Sequence, residues 1–526
     1  MKKISLLITM FCLVLAGMAQ KDASPRFADL ITSESLKKHL TIIAGEEMEG
    51  RETGTEGQRK AAAYIEAQFK QMGLKTAAGI TGYQQFYPLY QDSLLSSSLN
   101  IGSAGAQYGV DYICPAMNNE NGTFESNKIV FAGYGIDDVN YTDYVSLDVK
   151  GKLVLMFLGE PKKDGIYLVT GTNKSSDWTS PGLSKKLATA ASYGAAGVLL
   201  INPSQESFNQ RTIDNSKKTS VYFPRIKANE TVSNALLSHA FAKKIIGDMA
   251  DSLIRLARKS EPIDRNMLKE ISINSSFNYT KSRNIINASN VIGIIEGSDK
   301  KDEYVFLTAH YDHLGKRDGK IYYGADDDGS GTVAVMQMAE AFVKAKAAGK
   351  GPRRTMVFMT VSGEEKGLWG SEYYSDHPIY PLEKTSVDLN TDMIGRIDTE
   401  RKKDDTLNYI YVVGHDKLSS ELPLINEAMN NKYTQLVFDY KFDDPEDPNR
   451  IYYRSDHYNF ARKGVPVLFF YDGMLKSDYH KPTDTVDKIN WSLFEKRARM
   501  IFHTAWEIAN RDEMLKRDLA IPTGRR

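Results

Sequence analysis

Five residues that can bind a metal ion each follow a segment with the pattern of a buried β-strand. They are His310, Asp327, Glu365, Asp392 and His480, and Glu364 stands directly before one of them. Two imidazoles and three carboxylates suit zinc or a similar cation, and a carboxylate can bridge two ions where a neutral imidazole cannot. The positive charge of two divalent cations would be balanced by the negative charges of three carboxylates and one hydroxide, so the site would be nearly neutral. These residue types predict a two-metal hydrolytic site in which Glu364 is the general base for a metal-activated water.

The elements that must position these residues are short apolar runs. Four of them precede the metal-binding residues: Tyr304–Thr308, Thr355–Val361, Ser386–Leu389 and Val465–Tyr471. They alternate with helical stretches such as Gly331–Lys346, which is typical of a mostly parallel sheet covered by helices on both faces. Ligands of such sheets bind beyond the carboxyl ends of the strands. We therefore expect an α/β fold with a mostly parallel mixed sheet, and site residues that converge on one edge of it.

Five short motifs surround the same residues, in the order Ala309–Gly315, Gly324–Gly331, Ser362–Leu368, Asn390–Gly395 and Asp478–Asp484. Together they resemble the complete motif set of the co-catalytic zinc aminopeptidase and glutamate carboxypeptidase family. The resemblance implies the zinc exopeptidase fold, two Zn²⁺ ions and peptide substrates.

The resemblance also implies a role for each metal-binding residue. His310 and Asp392 would hold one zinc ion. Glu365 and His480 would hold the other ion, and Asp327 would bridge the two.

Further roles come from the same resemblance. Glu364 is implied to be the general base, and Asp312 is implied to orient the imidazole of His310. Tyr479, directly before the last histidine, is implied to help hold the oxyanion. The peptide bond between Asp327 and Asp328 is implied to be cis.

Other residues near the motifs have more than one interpretation. His313 and His457 are interpreted as structural residues or as neighbours of the ligands. Arg396 and Arg454 either meet a substrate carboxylate or carbonyl, or pair with a carboxylate of the motifs. The acidic run Asp443–Pro448 lacks the regular spacing and the glycine of a helix-loop-helix calcium site, so we interpret it as a surface loop.

The amino terminus predicts the compartment. Met1–Ala19 combines two early lysines, an apolar stretch and small residues, which is typical of a secretory signal peptide, and Gln20 would be the first mature residue. The apolar stretch is too short for a comfortable membrane span. Cys114 is the only cysteine beyond this segment, so no internal disulfide is expected. We expect an exported protein, secreted or periplasmic, without a membrane span once the signal is removed.

The overall charge narrows the range of partners. The chain has 67 basic and 67 acidic residues and a net charge of zero. This balance provides no global field for nucleic acid or for an anionic membrane. Peptide substrates are the expected partners, and the sequence does not specify an oligomeric state.

The chain is too long for a single core and divides into two predicted domains. A helical region is expected over Ser33–Gly73, with a capping box formed by Thr53 and Glu56. The catalytic motifs begin only near residue 290, so the peptidase domain is predicted to be discontinuous, over residues 20–114 and 281–526.

The predicted insert, residues 115–280, has its own alternation of strands and helices. Its segments Val130–Gly135, Asp148–Val154 and Gly194–Leu200 resemble the protease-associated domain. A further helical stretch is expected over Asn234–Leu256. The insert is therefore predicted to be a smaller α/β domain.

These features favour an exported zinc exopeptidase, and we expect an aminopeptidase in preference to a carboxypeptidase. A carboxypeptidase of the same family, a glutaminyl cyclase and a non-catalytic receptor-like relative are the alternatives. The full set of five ligands and Glu364 argues against the last two. A serine hydrolase is disfavoured because the chain has no Gly-x-Ser-x-Gly motif.

Overall fold

The computed structural model describes residues 23–116, 121–179, 182–225, 232–402 and 405–521. The predicted signal segment, Met1–Ala19, lies outside the described residues. The helices in chain order are α1 Ser24–Ala28, α2 Ser33–Ile43, α3 Glu56–Met72, α4 Leu183–Ser192, α5 Gln210–Lys217, α6 His239–Ile246, α7 Ala250–Arg258, α8 Gly331–Ala347, α9 Trp369–Asp376, α10 Glu421–Tyr433, α11 His457–Ala461 and α12 Trp491–Asn510.

The strands in chain order are β1 Lys75–Thr76, β2 Gln84–Ile101, β3 Ala104–Ala106, β4 Tyr112–Ile113, β5 Gly122–Phe131, β6 Leu153–Phe157, β7 Lys162–Lys163, β8 Ile166–Tyr167, β9 Gly197–Ile201, β10 Asn234–Leu237, β11 Lys269–Ile295, β12 Lys300–His310, β13 Lys316–Arg317, β14 Lys320–Ile321, β15 Arg354–Val361, β16 Thr385–Thr391, β17 Tyr409–Val413, β18 Val437–Asp439 and β19 Val467–Tyr471. The chain forms two compact units, one made of the residues up to Pro88 and from Asn287 onward, the other of Leu89–Ile286.

The first unit contains a mixed, mostly parallel sheet. Its strand order is β18, β17, β19, β16, β12, β15 and the end of β11. The pairs β12/β15, β12/β16, β16/β19 and β17/β18 are parallel, whereas β17/β19 and β11/β15 are antiparallel. Because β12, β15, β16 and β19 run in the same direction, their carboxyl ends share one edge.

The central strands of this sheet are buried on both faces. In β15, Met356 and Phe358 pack into one hydrophobic core, and Val357 and Met359 pack into the other. Residues of α1, α2, α3, α8, α10 and α12 complete the first core, and residues of α9 and α11 complete the second. Each such apolar side chain contributes about 1.5–3 kcal/mol when it is buried, so nearly continuous apolar runs favour these strands. The predicted α/β fold with helices on both faces is confirmed.

Two of the predicted helical regions are wrong in detail. The region Ser33–Gly73 is two helices, α2 and α3, separated by a loop around Gly45–Thr55. The region Asn234–Leu256 begins with β10, which pairs in parallel with β9, and continues as α6 and α7. In that second case, the apolar residues of Asn234–Leu237 are too few to show a helical or a strand period, so strand pairing decides their structure.

The second unit is a smaller α/β unit. Its strand order is the start of β11, then β5, β6, β9, β10 and β4, with parallel pairing from β5 to β10 and antiparallel pairing at both ends. The unit begins at Leu89 rather than at residue 115, because β2 is one continuous strand whose Leu99 and Ile101 belong to the core of this unit. Its resemblance to the protease-associated domain stays a prediction.

Among the residues that the structure describes, no helix combines the length and the apolar character that a membrane crossing requires.

Candidate metal centre

The candidate site lies at the carboxyl-terminal edge of the sheet in the first unit. His310 is the last residue of β12, Asp392 directly follows β16, and Glu364 and Glu365 follow β15 by a short turn. Two of the five predicted ligands depart from the expectation that each would directly follow a strand. Asp327 lies in a wide turn, Ala325–Ser330, that leads into α8, and His480 lies in the loop beyond β19.

One side of the site is formed around His310. Its Nε2 lies 3.4 Å from Asp327 Oδ1 and 3.6 Å from Asp392 Oδ1. Glu364 Oε2 lies 3.8 Å from the same nitrogen. A buried imidazole therefore faces three carboxylates.

The other side is formed around His480. Its Nε2 lies 3.2 Å from Asp327 Oδ2 and 3.1 Å from Glu365 Oε2. The two oxygens of Asp327 thus face two different groups of donors. The structure brings all five predicted ligands together, with Glu364 beside them.

His313 belongs to the same centre, although the sequence assigned it no metal. It is fully buried, and its Nδ1 lies 2.8 Å from Glu365 Oε1 and 3.8 Å from Asp327 Oδ2. By proximity, the groups that could hold an ion are His310, Glu364 and Asp392 on one side and His313, Asp327 and Glu365 on the other. Its position three residues after His310 in the same motif was the available signal.

The buried polar atoms of the centre fit a pair of cations. Among the described residues, five atoms of the centre form no hydrogen bond of acceptable geometry, although polar neighbours lie close to them: His310 Nε2, both ring nitrogens of His313, Asp327 Oδ2 and Glu365 Oε1. Buried polar atoms in proteins nearly always form a hydrogen bond, so several atoms without one in one place require an explanation. Imidazole and carboxylate donors around two adjacent positions are the set that zinc prefers. The clusters of imidazole and carboxylate groups are consistent with two zinc ions, and the assignment of individual ligands stays a prediction.

Neighbouring groups hold His310 and Glu364 in place. His310 Nδ1 lies 3.1 Å from the backbone carbonyl of Asp312 and 3.6 Å from its carboxylate. The predicted orienting contact therefore comes from the carbonyl of Asp312 and not from its side chain. That carboxylate instead accepts hydrogen bonds from the amide of Glu364, at 3.2 Å, and from the hydroxyl of Thr53, at 2.7 Å.

Thr53 was predicted to cap a helix, and this prediction is wrong. The residue that caps α3 is Thr55, and its side chain forms no capping hydrogen bond. The Thr53 hydroxyl donates to Asp312 and accepts from the amide of Gly363 at 2.9 Å. Thr53 therefore joins the loop after β12 to the loop that carries Glu364.

Arg51 stabilises the same region through hydrogen bonds to backbone carbonyls. It is fully buried, and its guanidinium donates to four backbone carbonyls, those of Ile43, Tyr311, Tyr323 and Gly324, at 2.7–2.8 Å. One side chain thus satisfies carbonyls from three separate segments.

The turn that carries Asp327 is held by two other carboxylates. The Asp484 carboxylate accepts hydrogen bonds from the amides of Asp326 and Asp327, at 3.0 and 3.1 Å. Asp328 accepts from the amides of His310, Gly331 and Met393. The peptide bond between Asp327 and Asp328 is cis, as the family resemblance implied.

Gly324 at the start of this turn has no room for a side chain. Its φ is +56°, and a Cβ atom there would lie 2.3 Å from the carbonyl oxygen of Asp327 and 2.5 Å from Cγ of His313. A larger residue would therefore displace the turn or the imidazole.

In this centre, burial and the neighbouring carboxyl and imidazole groups together shift the pKa of each group. Burial raises the pKa of Glu364 well above its usual range, and Asp392 and Glu365 add to this effect. Burial and Asp327 oppose ionisation of Glu365, yet His313 and His480 lower its pKa to about 2. Burial also opposes a charge on His480, yet Asp327 and Glu365 raise its pKa to about 10. Cations entering this centre would displace protons from the imidazoles.

A pocket lined by both charged and apolar side chains opens beside Asp327, Glu364 and Asp392. Its other lining residues include Met393, Ile451, Phe469, Leu475 and Tyr479. At its rim, the guanidinium of Arg454 donates to the hydroxyl of Tyr479 at 2.9 Å. The pocket is small, with a volume of about 30 Å³, and it adjoins the metal centre through Asp327, Glu364 and Asp392.

Arg396 and His457 lie outside this pocket. Arg396 pairs with Asp478 at 2.7 Å, which resolves its interpretation in favour of pairing with a motif carboxylate. His457 is buried between Phe469 and Tyr452, and burial lowers its pKa to about 3. His457 is therefore a neutral structural residue.

A third group of acidic and imidazole side chains consists of His415, Asp416 and Asp443. The Lys417 ammonium lies 2.5 Å from a carboxylate oxygen of each aspartate and offsets one of their two negative charges. Asp444, Pro445, Glu446 and Pro448 of the acidic run are exposed, as expected for a surface loop, whereas Asp443 and Asp447 are buried.

Comparison with known proteins agrees with this geometry. Residues 290–505, which include all five predicted ligands, match the sequence model described as Peptidase family M28. The probable leucine aminopeptidase of Arthroderma otae is 29% identical over 215 residues, which are 40% of this chain and 55% of that protein. The glutamate carboxypeptidase 2 homolog of Caenorhabditis briggsae is 25% identical over 408 residues, 68% of this chain and 50% of that protein. The chain spans about half the length of these relatives.

Among solved structures, the aminopeptidase from Aneurinibacillus sp. strain AM-1 aligns with 96% of this chain and 100% of its own, at 19% identity and a TM-score of 0.50. At this identity the likeness shows the fold alone. The family resemblance predicted from the five motifs is confirmed over the segment that contains the metal centre.

Proposed function

We propose that this protein is a zinc-dependent exopeptidase that removes residues from the amino terminus of peptides. The observation that carries the proposal is the pair of donor groups that share Asp327, with Glu364 beside them. The match to a peptidase family and the similarity to an aminopeptidase support it.

The proposed ligand sets follow the two sides of the centre. His310 and Asp392 would hold one zinc ion and Glu365 and His480 the other, and Asp327 faces both groups. His313 lies against Glu365 and helps to fix its position.

Two zinc ions held by these residues would lower the pKa of a water molecule from about 15.7 to roughly 7 and would stabilise negative charge on oxygen. Glu364 accepts the proton of that water and delivers it to the leaving amine. The hydrogen bond from its amide to Asp312 fixes its place. The Tyr479 hydroxyl, oriented by Arg454, donates to the substrate carbonyl oxygen as that oxygen becomes negative.

The small pocket beside Glu364 and Asp392 lies next to the proposed position of the terminal residue. Ile451, Phe469 and Leu475 line it together with these carboxylates, so we expect a preference for small, uncharged terminal residues.

A carboxypeptidase of the same family is the second candidate. The similarity to a glutamate carboxypeptidase homolog over 408 residues favours it, as does the guanidinium of Arg454 at the pocket rim. A glutaminyl cyclase or a non-catalytic relative would not require the five ligands and Glu364 together.

The deciding experiment compares three peptides of one sequence: unmodified, acetylated at the amino terminus, and amidated at the carboxyl terminus. An aminopeptidase cleaves the first and third, whereas a carboxypeptidase cleaves the first and second. Elemental analysis should find two zinc ions per chain, and chelation should abolish cleavage. A protein that binds no zinc, or that cleaves none of the three peptides, would refute the proposal.

Export of the protein is part of the proposal and depends on the sequence of Met1–Ala19. Amino-terminal sequencing of protein recovered outside the cytoplasm should begin at Gln20. Recovery of the intact amino terminus from the cytoplasm alone would refute export.

A further inference from the structure

A chain of buried hydrogen bonds connects Asp392 to a second aspartate that does not face the metal centre. Ser455 Oγ lies 2.6 Å from Asp392 Oδ2, and Asn390 Nδ2 lies 2.9 Å from Ser455 Oγ. Thr308 Oγ1 lies 2.9 Å from Asn390 Oδ1 and 2.8 Å from Asp388 Oδ1. All four residues that lead from Asp392 to Asp388 are at most 1% exposed.

The protons of this chain can be counted from its zinc-binding end. Asp392 must be ionised to bind zinc, so it only accepts hydrogen bonds, and the single proton of Ser455 must point at it. Ser455 must then accept from the amide group of Asn390, which fixes the orientation of that amide. The carbonyl oxygen of Asn390 consequently faces Thr308 and must receive the single Thr308 proton.

Thr308 has no second proton for Asp388. Two oxygens 2.8 Å apart in a buried site need a proton between them, so the proton must belong to Asp388. We propose that Asp388 is a neutral carboxylic acid and that its proton begins a hydrogen-bond chain that orients Asp392. This proposal rests on the proposed function in one respect, the role of Asp392 as a zinc ligand.

The surroundings of Asp388 support the neutral form independently. The side chain is fully buried, and no lysine, arginine or histidine forms an ion pair with it in the part of the chain that the structure describes. A buried carboxylate without a compensating charge is costly. Burial raises the pKa of Asp388 to about 8, and the nearby carboxyl group of Asp456 adds to this effect.

The hydrogen-bond chain holds the carboxylate of Asp392 in the orientation that zinc binding requires. Ser455 occupies Oδ2, which leaves Oδ1 free to face His310 Nε2 at 3.6 Å. An ionised Asp388 would take the Thr308 proton, and the Asn390 amide would have to reverse. Ser455 would then donate to Asn390, and Asp392 Oδ2 would lose its hydrogen bond. Asp388, Thr308, Asn390 and Ser455 are therefore positioning residues for a ligand.

The central test is Asp388→Asn compared with Asp388→Leu. An asparagine can donate from its amide to Thr308 as the neutral acid does, whereas a leucine cannot. We measure the zinc dissociation constant by competition with a chromophoric chelator. Asp388→Asn should bind zinc within about threefold of the parent, and Asp388→Leu should bind about 10–100-fold more weakly, the usual cost of losing an outer partner.

Thr308 provides a second, independent pair. Thr308→Ser keeps the hydroxyl and should retain parental zinc affinity, and Thr308→Val should lose about 10–100-fold. The matched control is Thr360→Val, on the neighbouring strand β15. Thr360 is equally buried and its hydroxyl has no hydrogen-bond partner among the described residues, so its loss should leave zinc affinity unchanged.

The protonation state itself has a spectroscopic readout. Infrared spectra of the folded parent should contain a carbonyl component of a protonated carboxylic acid that ¹³C-labelled aspartate shifts and that Asp388→Asn and Asp388→Leu each remove. Persistence of the whole band in both variants would overturn the assignment of the proton to Asp388.

Zinc affinity gives the other refuting outcomes. A tenfold or larger loss in Asp388→Asn, with the melting temperature of the metal-free protein unchanged, would show that a carboxylate is needed. Parental affinity in a folded Thr308→Val would show that the chain does not orient Asp392. A parent protein that binds no zinc would instead refute the proposed function, which the same titration detects first.

Discussion

Replacing Glu364 by glutamine should separate the chemical step from metal binding. The substitution keeps the shape of the side chain and removes its ability to accept a proton. The backbone amide of residue 364 donates to Asp312 whichever side chain is present, so the loop should stay in place. Both metals should remain bound because Glu364 is proposed to act on the water and not as a ligand.

The size of the expected effect follows from the role of a positioned base. General acid–base catalysis contributes about 10²–10⁴-fold, so kcat should fall by that factor, equivalent to about 3–5 kcal/mol of activation free energy. The KM should change little, because Glu364 lies at the floor of the pocket and makes no proposed contact with the peptide beyond the reacting bond. The folded protein should not lose stability, since burial disfavours the charged form of Glu364.

Glu365→Gln is the matched comparison, one residue away. Glu365 lies within 3.1 Å of His480 and 2.8 Å of His313, so its charge is needed to hold an ion among the imidazoles. Zinc affinity should fall by more than the 10–100-fold that is typical when a hydrogen-bond partner of a metal ligand is removed. Activity should then be partly restored by added zinc, which would not restore Glu364→Gln.

The assay pairs elemental analysis of each purified variant with kcat and KM on a peptide with a free amino terminus. Loss of metal from Glu364→Gln together with retention by Glu365→Gln would show that the two roles are reversed. Full turnover by both variants would place the active site elsewhere.

Three other perturbations test separate parts of the structure. Tyr479→Phe should lower kcat by about 10²–10³-fold while zinc content stays at the parental value, and an unchanged kcat would remove Tyr479 from the chemistry. Arg51→Met leaves four backbone carbonyls without their donor and should lower the melting temperature of the first unit by more than Arg51→Lys does; equal melting curves would refute the role of the fork-shaped guanidinium. In the second unit, burial opposes ionisation of Asp92, yet Arg283, Lys281 and Tyr222 lower its pKa to about 2. The charge of Asp92 should therefore stabilise the unit above about pH 4, and this stabilisation should be lost as the pH falls through 2. Asp92→Asn should therefore cost about 1 kcal/mol at pH 7, after allowance for solvent screening, and the difference from the parent should disappear near pH 2; a constant difference would show that the charge is not responsible.

The sequence by itself determined the central strands and predicted which residues meet beyond their ends. Buried parallel strands favour nearly continuous apolar runs, and β12, β15 and β19 contain such runs, whereas β16 has only Val387 and Leu389 as apolar residues. Because strands that run in one direction end at one edge, the residues that follow them had to converge. His310, Glu365 and Asp392 could therefore be placed together before any coordinates existed.

The tertiary structure decided which other residues serve the centre. Thr53 has the spacing of a helix cap, and only its 2.7 Å contact with Asp312, more than 250 positions along the chain, shows that it supports the loop of Glu364. Local patterns carry no information about such distant contacts. The same holds for the protonation of Asp388: its residue type predicts a charge, whereas its burial without a cation and its place beside Thr308 require a neutral acid.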